Sequence, residues 1–450
     1  MSLEPKTEAE RAYLLDYCQS DVDTAARLFE KMLPRLDLAH ALLRGRYTVA
    51  AAKTEHVGTP VNVPAYTPIT ENWGAIGLTL IRRMREKFGI DIHDENGGFK
   101  FAKFEQFVTN HKLPWKRTKT GRLCTDEETF SAMKKVFPIV QPLAELKYSI
   151  GQLNLNDLSI GSDGRNRTGL SIFRASTSRN APSSAKFLFN NATWLRHRIA
   201  PSPGYGLAYL DYKAQEFAIA AARSGDKAMM ACYRDGDPYE MFARLAGMWP
   251  SDPSQRKTVR EQFKVAALAM MYGQEARSMA QKLGVATIFA EELVRIHHHL
   301  FPQFWVWLEE VMDKAACTKS VSTVFAWPAR LHPAYNKRAL RNFLMQANGA
   351  EILRLACCLI TENGIRLCAP IHDAVLIEAP LGILDEHIDR TKAHMIEAAN
   401  IVLRGKLELR VDTTIVSYPD HYREKRGQAM WETVNEVLAE YLGATRTAHG

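Results

Sequence analysis

Residues 260–273 read Arg-Glu-Gln-Phe-Lys-Val-Ala-Ala-Leu-Ala-Met-Met-Tyr-Gly, and they hold the most specific pattern in the chain. Within them Arg260, Lys264, Leu268 and Tyr272 recur at every fourth position. Because an α-helix turns ~100° per residue, these side chains form one stripe ~18 Å long. Two cations followed by an apolar and an aromatic residue complement a triphosphate that carries a base at one end. The alternative is a basic, solvent-exposed face beside a core stripe.

Two aspartates stand next to segments predicted to be strands. Asp211 follows the short apolar strand predicted for 206–210 and precedes a helix predicted for 214–224. Asp373 follows His372 in the middle of the β-like stretch 369–379, so both residues are predicted in a hairpin turn. Two such carboxylates could hold a pair of cations ~3.5–4 Å apart, as metal-assisted phosphoryl transfer requires. Each aspartate also has an ordinary explanation, Asp211 as a helix N-cap and Asp373 as a turn residue.

Length and composition bound the class of protein. A chain of 450 residues exceeds the ~250–300 residues of one hydrophobic core, so two to four core-bearing units are expected. The hydrophobic content of 46% is that of a globular protein, and no apolar run approaches the ~18–20 residues that cross a bilayer. Because the N-terminus does not resemble a secretory signal, we expect a cytoplasmic protein that does not contact the membrane.

The net charge of +8 is unevenly distributed. Residues 164–199 include seven basic residues and no acid, and residues 111–123 include five basic residues and no acid. Such stretches suit a polyanion such as nucleic acid, although each could also be a solvated basic face. The seven cysteines are scattered without a CxxC pair, so we interpret them as buried thiols, and we assign no metal to His297–His299.

Hydrophobic periodicity predicts a mostly helical chain with few strands. Helices are expected over 8–33 and from 36 to the 58–64 break. A separate lobe over 70–150 is expected to hold helices over 73–88, 126–136 and 140–148 and the basic loop 112–122. Further helices are expected between 226 and 319 and over 337–362.

Taken together, these segments resemble the motifs of family A DNA polymerases, the class of bacterial DNA polymerase I and many phage replicases. Motif A of that family, DYSQIEL, corresponds to Asp211-Tyr-Lys-Ala-Gln-Glu-Phe217, and motif C, HDE, corresponds to His372-Asp373-Ala374. The stripe from Arg260 to Tyr272 corresponds to motif B, Rx3Kx3(F/Y)x3YG. The motifs occur in the family's order, and the resemblance extends over nearly the whole chain.

The resemblance implies a multi-domain α+β fold shaped like a right hand, with an antiparallel-sheet palm, helical fingers and a helical thumb. Residues 1–38 would be the C-terminal remnant of a 3′→5′ exonuclease domain and residues 39–150 the thumb. The palm would comprise 151–225 with motif A and 337–450 with motif C, on either side of fingers at 226–336 that carry motif B.

The resemblance also implies a template-directed DNA polymerase that joins dNTPs to a primer 3′-hydroxyl with two Mg²⁺ ions, for which Mn²⁺ could substitute. The metals would be held by Asp211, Asp373 and the backbone carbonyl of Tyr212. Arg260 and Lys264 would bind the β- and γ-phosphates, with Lys264 as the proton donor to the departing pyrophosphate. Glu216, held by Tyr272, would exclude a ribose 2′-hydroxyl. The remaining dNTP-binding residues would be Gln215, Leu268 and Tyr239.

Primer-template DNA is the implied macromolecular partner of a monomeric enzyme, and the sequence identifies no processivity partner. Arg338, Asn342 and Gln346 recur every fourth residue and resemble the family helix that contacts the minor groove, where acceptor positions are shared by all base pairs. A polar helix face is the alternative. The other DNA-binding residues implied are Arg174, His372 and Lys119.

The chain departs from the family pattern at three positions. Ala374 replaces the motif C glutamate, and since two aspartates suffice to bridge the cations, we expect activity to be retained with a changed metal preference. Leu268 replaces the usual aromatic of motif B, so contacts to the sugar are expected to differ. Gly236-Asp-Pro-Tyr239 stands where many members read GDIH, which suggests that a triphosphate contact passes to the Tyr239 hydroxyl.

Near the N-terminus, Tyr17 and Asp21 resemble the last exonuclease motif, YxxxD, but the upstream acidic motifs are missing. We therefore expect no proofreading by this chain, and the departures suggest a phage or prophage replicase. Two alternatives to a DNA polymerase stay open. A single-subunit RNA polymerase of the phage type would need open space at Glu216, and a non-catalytic DNA-binding paralogue would not need both aspartates.

Overall fold

The computed structural model describes residues 7–88, 92–94, 98–141, 143–144, 147–148, 151, 158–331 and 336–448. Helices dominate these ranges. The helices that position the candidate site or bear on its stability are α1 (Glu8–Met32), α2 (Leu38–Val57), α3 (Val63–Glu71), α4 (Trp73–Phe88), α5 (Phe101–Asn110), α6 (Glu127–Val136), α7 (Gln215–Ser224), α8 (Lys227–Asp235), α9 (Pro238–Leu245), α10 (Pro253–Met271), α11 (Ala276–Leu283), α12 (Thr287–Leu300), α13 (Pro302–Thr318), α14 (Lys337–Glu362), α15 (Leu384–Leu403) and α16 (Gln428–Ala448).

The strands form small antiparallel sheets. They are β1 (Thr59–Pro60), β2 (Arg165–Asn166), β3 (Tyr205–Tyr212), β4 (Ser320–Ser322), β5 (Pro328–Arg330), β6 (Arg366–Ile371), β7 (Ala374–Pro380) and β8 (Val411–Ser417). A four-stranded sheet has the order β6-β7-β3-β8, and the remaining strands form the pairs β1-β2 and β4-β5. Long helices around small antiparallel sheets confirm the predicted α+β multi-domain class.

The four-stranded sheet is covered on both faces. The interior residues of β3 alternate between two hydrophobic clusters: Ala208 and Leu210 join the cluster formed with α7, α10 and α14, whereas Leu207 joins a second cluster around Trp194 and Val434. A side-chain period of two residues along a strand explains this alternation. The sheet is therefore a rigid base for any side chain at its end.

A third hydrophobic cluster lies apart from the sheet, within the helical lobe predicted for 70–150. Phe104 on α5 is its centre and packs against Trp115 and Phe130 with ring centroids 5.1 and 5.6 Å away. The predicted helices over 73–88 and 126–136 correspond to α4 and α6. The helix predicted from Val140 to Tyr148 lies partly outside the described residues.

Three expectations from the sequence need correction. Cys18 and Cys317 are exposed, so only five of the seven thiols are buried. The predicted helix 8–33 forms as α1, but none of its side chains is buried, so no core explains its apolar positions. The sequence predicted no segment that could cross a membrane, but α14 is long and apolar enough to do so. Within the protein, however, 89% of its apolar window is buried.

Candidate active site

The register of the four-stranded sheet brings the two predicted metal-binding aspartates to the same end. Asp211 in β3 pairs with Ala374 in β7, the residue immediately after Asp373. Asp373 lies with His372 in the two-residue turn between β6 and β7, because Ile371 pairs with Ala374. The backbone N–H of Tyr212 donates to the carbonyl oxygen of Asp373 over 3.1 Å and ties the strand to that turn.

The helix-cap explanation of Asp211 is wrong. Asp211 belongs to β3, and the N-cap of α7 is Ala214, which has φ 44° and ψ 45°. The left-handed backbone at Ala214 turns the chain sharply between strand and helix. Asp211 is therefore left at the sheet end with its carboxylate free for another role, whereas Asp373 does occupy the predicted turn.

The electrostatics of the aspartates are unfavourable in the absence of a cation. Burial and the neighbouring carboxylates of Asp373 and Asp412 raise the pKa of Asp211 to about 7, against a smaller opposing effect of Lys264. Burial also raises the pKa of Asp373. The Oδ1 atom of Asp211 is buried without a hydrogen-bond partner among the described residues. Buried, uncompensated carboxylate oxygens of this kind fit hard divalent cations.

The predicted stripe of motif B lies on α10 and faces the aspartates across a cleft. Arg260, Lys264 and Leu268 line this cleft of about 980 Å³, which is open to solvent, together with Asp211 and Asp373. All three stripe residues are half-buried, and Tyr272 is the C-cap of α10. The stripe is therefore not a solvent-exposed face beside the core, because it faces the carboxylates.

Arg260 is already paired on the cleft wall. Its Nε and Nη2 donate to Oδ2 of Asp237 over 3.0 and 2.6 Å, and its Nη1 donates to Glu261. Its guanidinium lies 5.6 Å from the ring centroid of Tyr239, a cation–π contact. Tyr239 lines the cleft but is only 3% exposed, so its ring supports Arg260 while a hydroxyl contact to phosphate stays a prediction.

Glu216 joins motif A to motif B. Its carboxylate accepts a short hydrogen bond from the Tyr272 hydroxyl and forms an ion pair of 3.4 Å with Arg179. Burial raises the pKa of Glu216, and the charge of Arg179 partly opposes that rise. The predicted contact between Glu216 and Tyr272 is thus present in the folded chain.

Gln215 is buried beside Glu216, with 1% of its surface exposed, and lines the same cleft. Neither amide atom of Gln215 has a hydrogen-bond partner among the described residues. The absence of a side chain at Gly349 on α14 makes room for it, because a Cβ there would lie 2.5 Å from Gln215 Oε1.

The predicted DNA-binding residues are distributed around the cleft. Asn342 and Gln346 are half-buried on one face of α14, whereas Arg338 of the same face is exposed. His372 is exposed at the hairpin turn, and Lys119 is exposed in the basic loop. The roles of these residues stay predictions.

Arg174 is exposed, and within the described parts of the chain no hydrogen bond or ion pair joins its side chain to a cleft residue, so the basic side chain at Glu216 is that of Arg179. Arg179 was recognisable only as one member of a basic stretch. Its loop is positioned by Arg354, which donates to the carbonyl oxygen and the hydroxyl of Ser178.

Sequence reasoning also missed three charged residues that line the cleft. In the sequence, Asp237 was considered only as part of Gly236-Asp-Pro-Tyr239, the segment that replaces GDIH. In the structure it is the ion-pair partner of Arg260. Arg410 lies immediately before β8 and Asp412 lies within it, where Asp412 pairs in register with Asp211. Strand β8 has no motif that marks it, so only the strand order reveals that these residues adjoin motif A.

Comparison with known proteins places these features in a family. The profile of DNA polymerase family A matches residues 101–417. Thermostable DNA polymerase I of Thermus caldophilus is 23% identical over 322 residues, which cover 65% of this chain and 38% of that protein. The DNA polymerase of Mycobacterium phage D29 is 26% identical over 229 residues, 49% of this chain and 36% of that protein.

A solved structure supports the same fold. The POL domain of Pol1 from M. smegmatis, in complex with DNA primer-template and dNTP, superposes with a TM-score of 0.71 at 21% identity and covers 91% of this chain and 74% of that one. The chain spans about two fifths or less of the length of the curated relatives it matches. Because the family profile matches well over half of its residues, the chain belongs to DNA polymerase family A.

Proposed function

We propose that the chain is a template-directed DNA polymerase that adds dNTPs to the 3′-hydroxyl of a primer. One observation carries this proposal: Asp211 and Asp373 meet at the end of a sheet and face Arg260 and Lys264 across an open cleft. Carboxylates on one wall and cations on the other suit a metal-bound triphosphate.

The donor set fits a pair of divalent cations. Asp211, Asp373 and the backbone carbonyl of Tyr212 would hold them, and the orphaned Oδ1 of Asp211 supports a cation there. Among the described residues no cluster of three or more acidic, histidine or cysteine side chains forms a ligand set. This is compatible with Mg²⁺, which typically takes one or two carboxylates and completes its shell with water and phosphate oxygens. When bound, two Mg²⁺ ions would activate the attacking hydroxyl and neutralise charge on the leaving group, and Mn²⁺ could substitute.

The cations of the chain would bind and orient the triphosphate. Arg260 is held by Asp237 in a fixed direction, so its guanidinium is presented to the cleft at little entropic cost. Lys264 lines the cleft without an ion pair in the described parts of the chain, and its ammonium would donate a proton to the departing pyrophosphate. The primer hydroxyl would displace pyrophosphate from the α-phosphorus in line.

Glu216 supports deoxyribose selection over the RNA polymerase alternative. Its carboxylate is bonded to Tyr272 and Arg179 at the base of the cleft, so it cannot swing away from an incoming sugar without breaking both contacts. A ribose 2′-hydroxyl would therefore meet an occupied position.

We further propose that this chain does not proofread and that it acts as a phage-type replicase in the cytoplasm of a bacterial or infected cell, as a monomer on primer-template DNA. Tyr17 and Asp21 are exposed on α1, and no metal-holding cluster forms around them within the described residues. Degradation of a labelled single strand by the purified chain would contradict the absence of proofreading.

Primer extension tests the proposed function. The purified chain should extend a labelled primer on a DNA template with dNTPs and Mg²⁺, and Asp211→Asn or Asp373→Asn should abolish extension. Asp389→Asn is the matched control, because Asp389 is an exposed aspartate on α15 away from the cleft. It should leave the rate unchanged.

Three outcomes would refute the proposal. Binding of primer-template without any extension would indicate a non-catalytic paralogue. Preference for rNTPs over dNTPs would indicate an RNA polymerase. Full activity of Asp211→Asn would remove the carboxylate pair from the mechanism.

A further inference from the structure

Arg410 is a cation of the cleft that the motifs do not include. It lies immediately before β8, half-buried, and lines the same cleft as Asp211, Asp373 and the α10 stripe. Its Nη2 donates to the carbonyl oxygen of Gly236 over 2.6 Å. Its guanidinium also lies 4.6 Å from the ring centroid of Tyr233, so the side chain is held from two sides.

The backbone around Arg410 is fixed to motif A. The N–H of Arg410 donates to the Tyr233 hydroxyl over 3.0 Å, and that hydroxyl donates to the carbonyl oxygen of Lys213 over 2.9 Å. The N–H of Lys213 in turn donates to the carbonyl oxygen of Arg410 over 2.9 Å. Arg410 is therefore set at a constant position relative to the turn that follows Asp211.

Among the described residues, no carboxylate balances the charge of Arg410. Within the parts of the chain that the structure describes, no carboxylate lies within 4.0 Å of its guanidinium, whereas Arg260 is paired with Asp237 and Lys213 with Asp412. Its Nε is buried without a hydrogen-bond partner there. A guanidinium has five N–H donors, and Gly236 takes only one. The unused donors and the net charge call for an anion in the cleft.

We propose that Arg410 binds the phosphate tail of the incoming nucleotide from the palm side of the cleft, and retains the pyrophosphate until it leaves. This inference rests on the proposed polymerase function. The hydrogen bond to Gly236 indicates that Arg410 binds the phosphates rather than the sugar. Gly236 directly precedes Asp237, and Asp237 holds Arg260, which is proposed to bind the phosphates. Arg260 and Lys264 would thus approach the triphosphate from the helix and Arg410 from the sheet.

The test compares Arg410→Ala, Arg410→Lys and Arg410→Gln with the control Lys406→Ala, an exposed cation in the turn before β8. The measurements are KM and kcat for dNTP, the inhibition constant of inorganic tripolyphosphate, and Kd for primer-template. Loss of a charge-assisted contact should raise KM and the tripolyphosphate inhibition constant about ten- to one-hundredfold, with Kd for DNA unchanged. Arg410→Lys should keep most of the affinity because it keeps the charge. The control should match the wild type.

The glutamine variant separates phosphate binding from support of the loop. Glutamine can still donate to Gly236 but carries no charge, so it should behave like alanine. The inference is overturned if Arg410→Gln matches the wild type while Arg410→Lys is impaired, or if all Arg410 variants stay within about twofold of wild type. If Arg410→Ala fails to fold, as judged by thermal melting, the lysine and glutamine variants decide. A wild-type chain that does not extend primers would overturn the proposed function itself, whereas normal extension by unaffected variants would overturn only the role of Arg410.

Discussion

Helices α2 and α14 are joined by two ion pairs that differ in burial and in the number of partners of the carboxylate, and they allow a paired stability test. Arg44 donates to both carboxylate oxygens of Glu351 over 3.0 and 2.9 Å, and the side chain of Glu351 is 1% exposed. Arg46 donates to both oxygens of Glu362 over 2.9 and 2.7 Å, but this pair is 44% and 42% exposed. The two pairs share their helices and their bidentate geometry.

Replacing Glu351 with alanine should be strongly destabilising. The carboxylate also accepts from the Thr323 hydroxyl over 2.7 Å and pairs with Arg354 at 2.8 Å, so its removal leaves two largely buried guanidinium groups without compensation. Breaking a buried pair in this way costs about 3–5 kcal/mol of the free energy of unfolding. Glu362→Ala removes an exposed pair and should cost only about 0–1 kcal/mol.

Urea unfolding followed by circular dichroism measures both costs on the same chain. We expect the midpoint for Glu351→Ala to fall well below that for Glu362→Ala. We also expect Glu351→Ala to slow primer extension, because Arg354 positions Ser178 and the neighbouring Arg179. Equal destabilisation by the two alanine variants would refute the reasoning that a buried carboxylate with several partners costs more to remove than one in an exposed pair.

Three further predictions concern the cleft and the α12–α13 region. Glu216→Ala should increase rNTP incorporation relative to dNTP incorporation, as measured by the ratio of kcat/KM values, and an unchanged ratio would remove Glu216 from sugar selection. Gly349→Ala should raise KM for dNTP, because the added methyl group displaces Gln215, while the thermal melting temperature changes little; an unaltered KM would contradict this. Burial lowers the pKa of His297 to about 3, below the value of its unfolded form, so the stability that this neutral side chain contributes is complete above about pH 6.5 and is lost as the pH falls. The loss in stability between pH 7 and pH 5 should be about 2 kcal/mol larger for the wild type than for His297→Phe in urea unfolding, and an identical pH profile for both would disprove it.

The motifs predicted much of the site because their spacing maps directly onto regular structure. The four-residue spacing of the stripe required a helix, and the hairpin around Asp373 required a tight turn, and both are present. The hydrophobic pattern likewise predicted the strand that ends near Asp211. Local sequence was therefore enough to predict the structure wherever all residues of a motif lie on one helix, strand or turn.

Contacts between distant segments could not be predicted in this way. Arg410 and Asp412 adjoin motif A only because β8 pairs with β3, and nothing in the sequence of β8 indicates that register. Arg179 was indistinguishable from other basic residues of its stretch until the loop was folded against Glu216. The apolar positions of α1 predicted a packing partner that the described residues do not provide.

Two buried glutamates are neutralised by arginines, whereas the half-buried Asp211 is not, and the difference bears on function. Glu351 is neutralised by Arg44 and Arg354, and Glu378 is neutralised in the same manner by Arg165 and Arg366. Asp211 instead faces a second carboxylate, and its Oδ1 lacks a hydrogen-bond partner among the described residues. The positive charge of Lys264 lowers the pKa of Asp211, but it only partly offsets the effects of burial and of the neighbouring carboxylates. The imbalance at the sheet end is consistent with a charge that is supplied by the metal-bound substrate rather than by the chain.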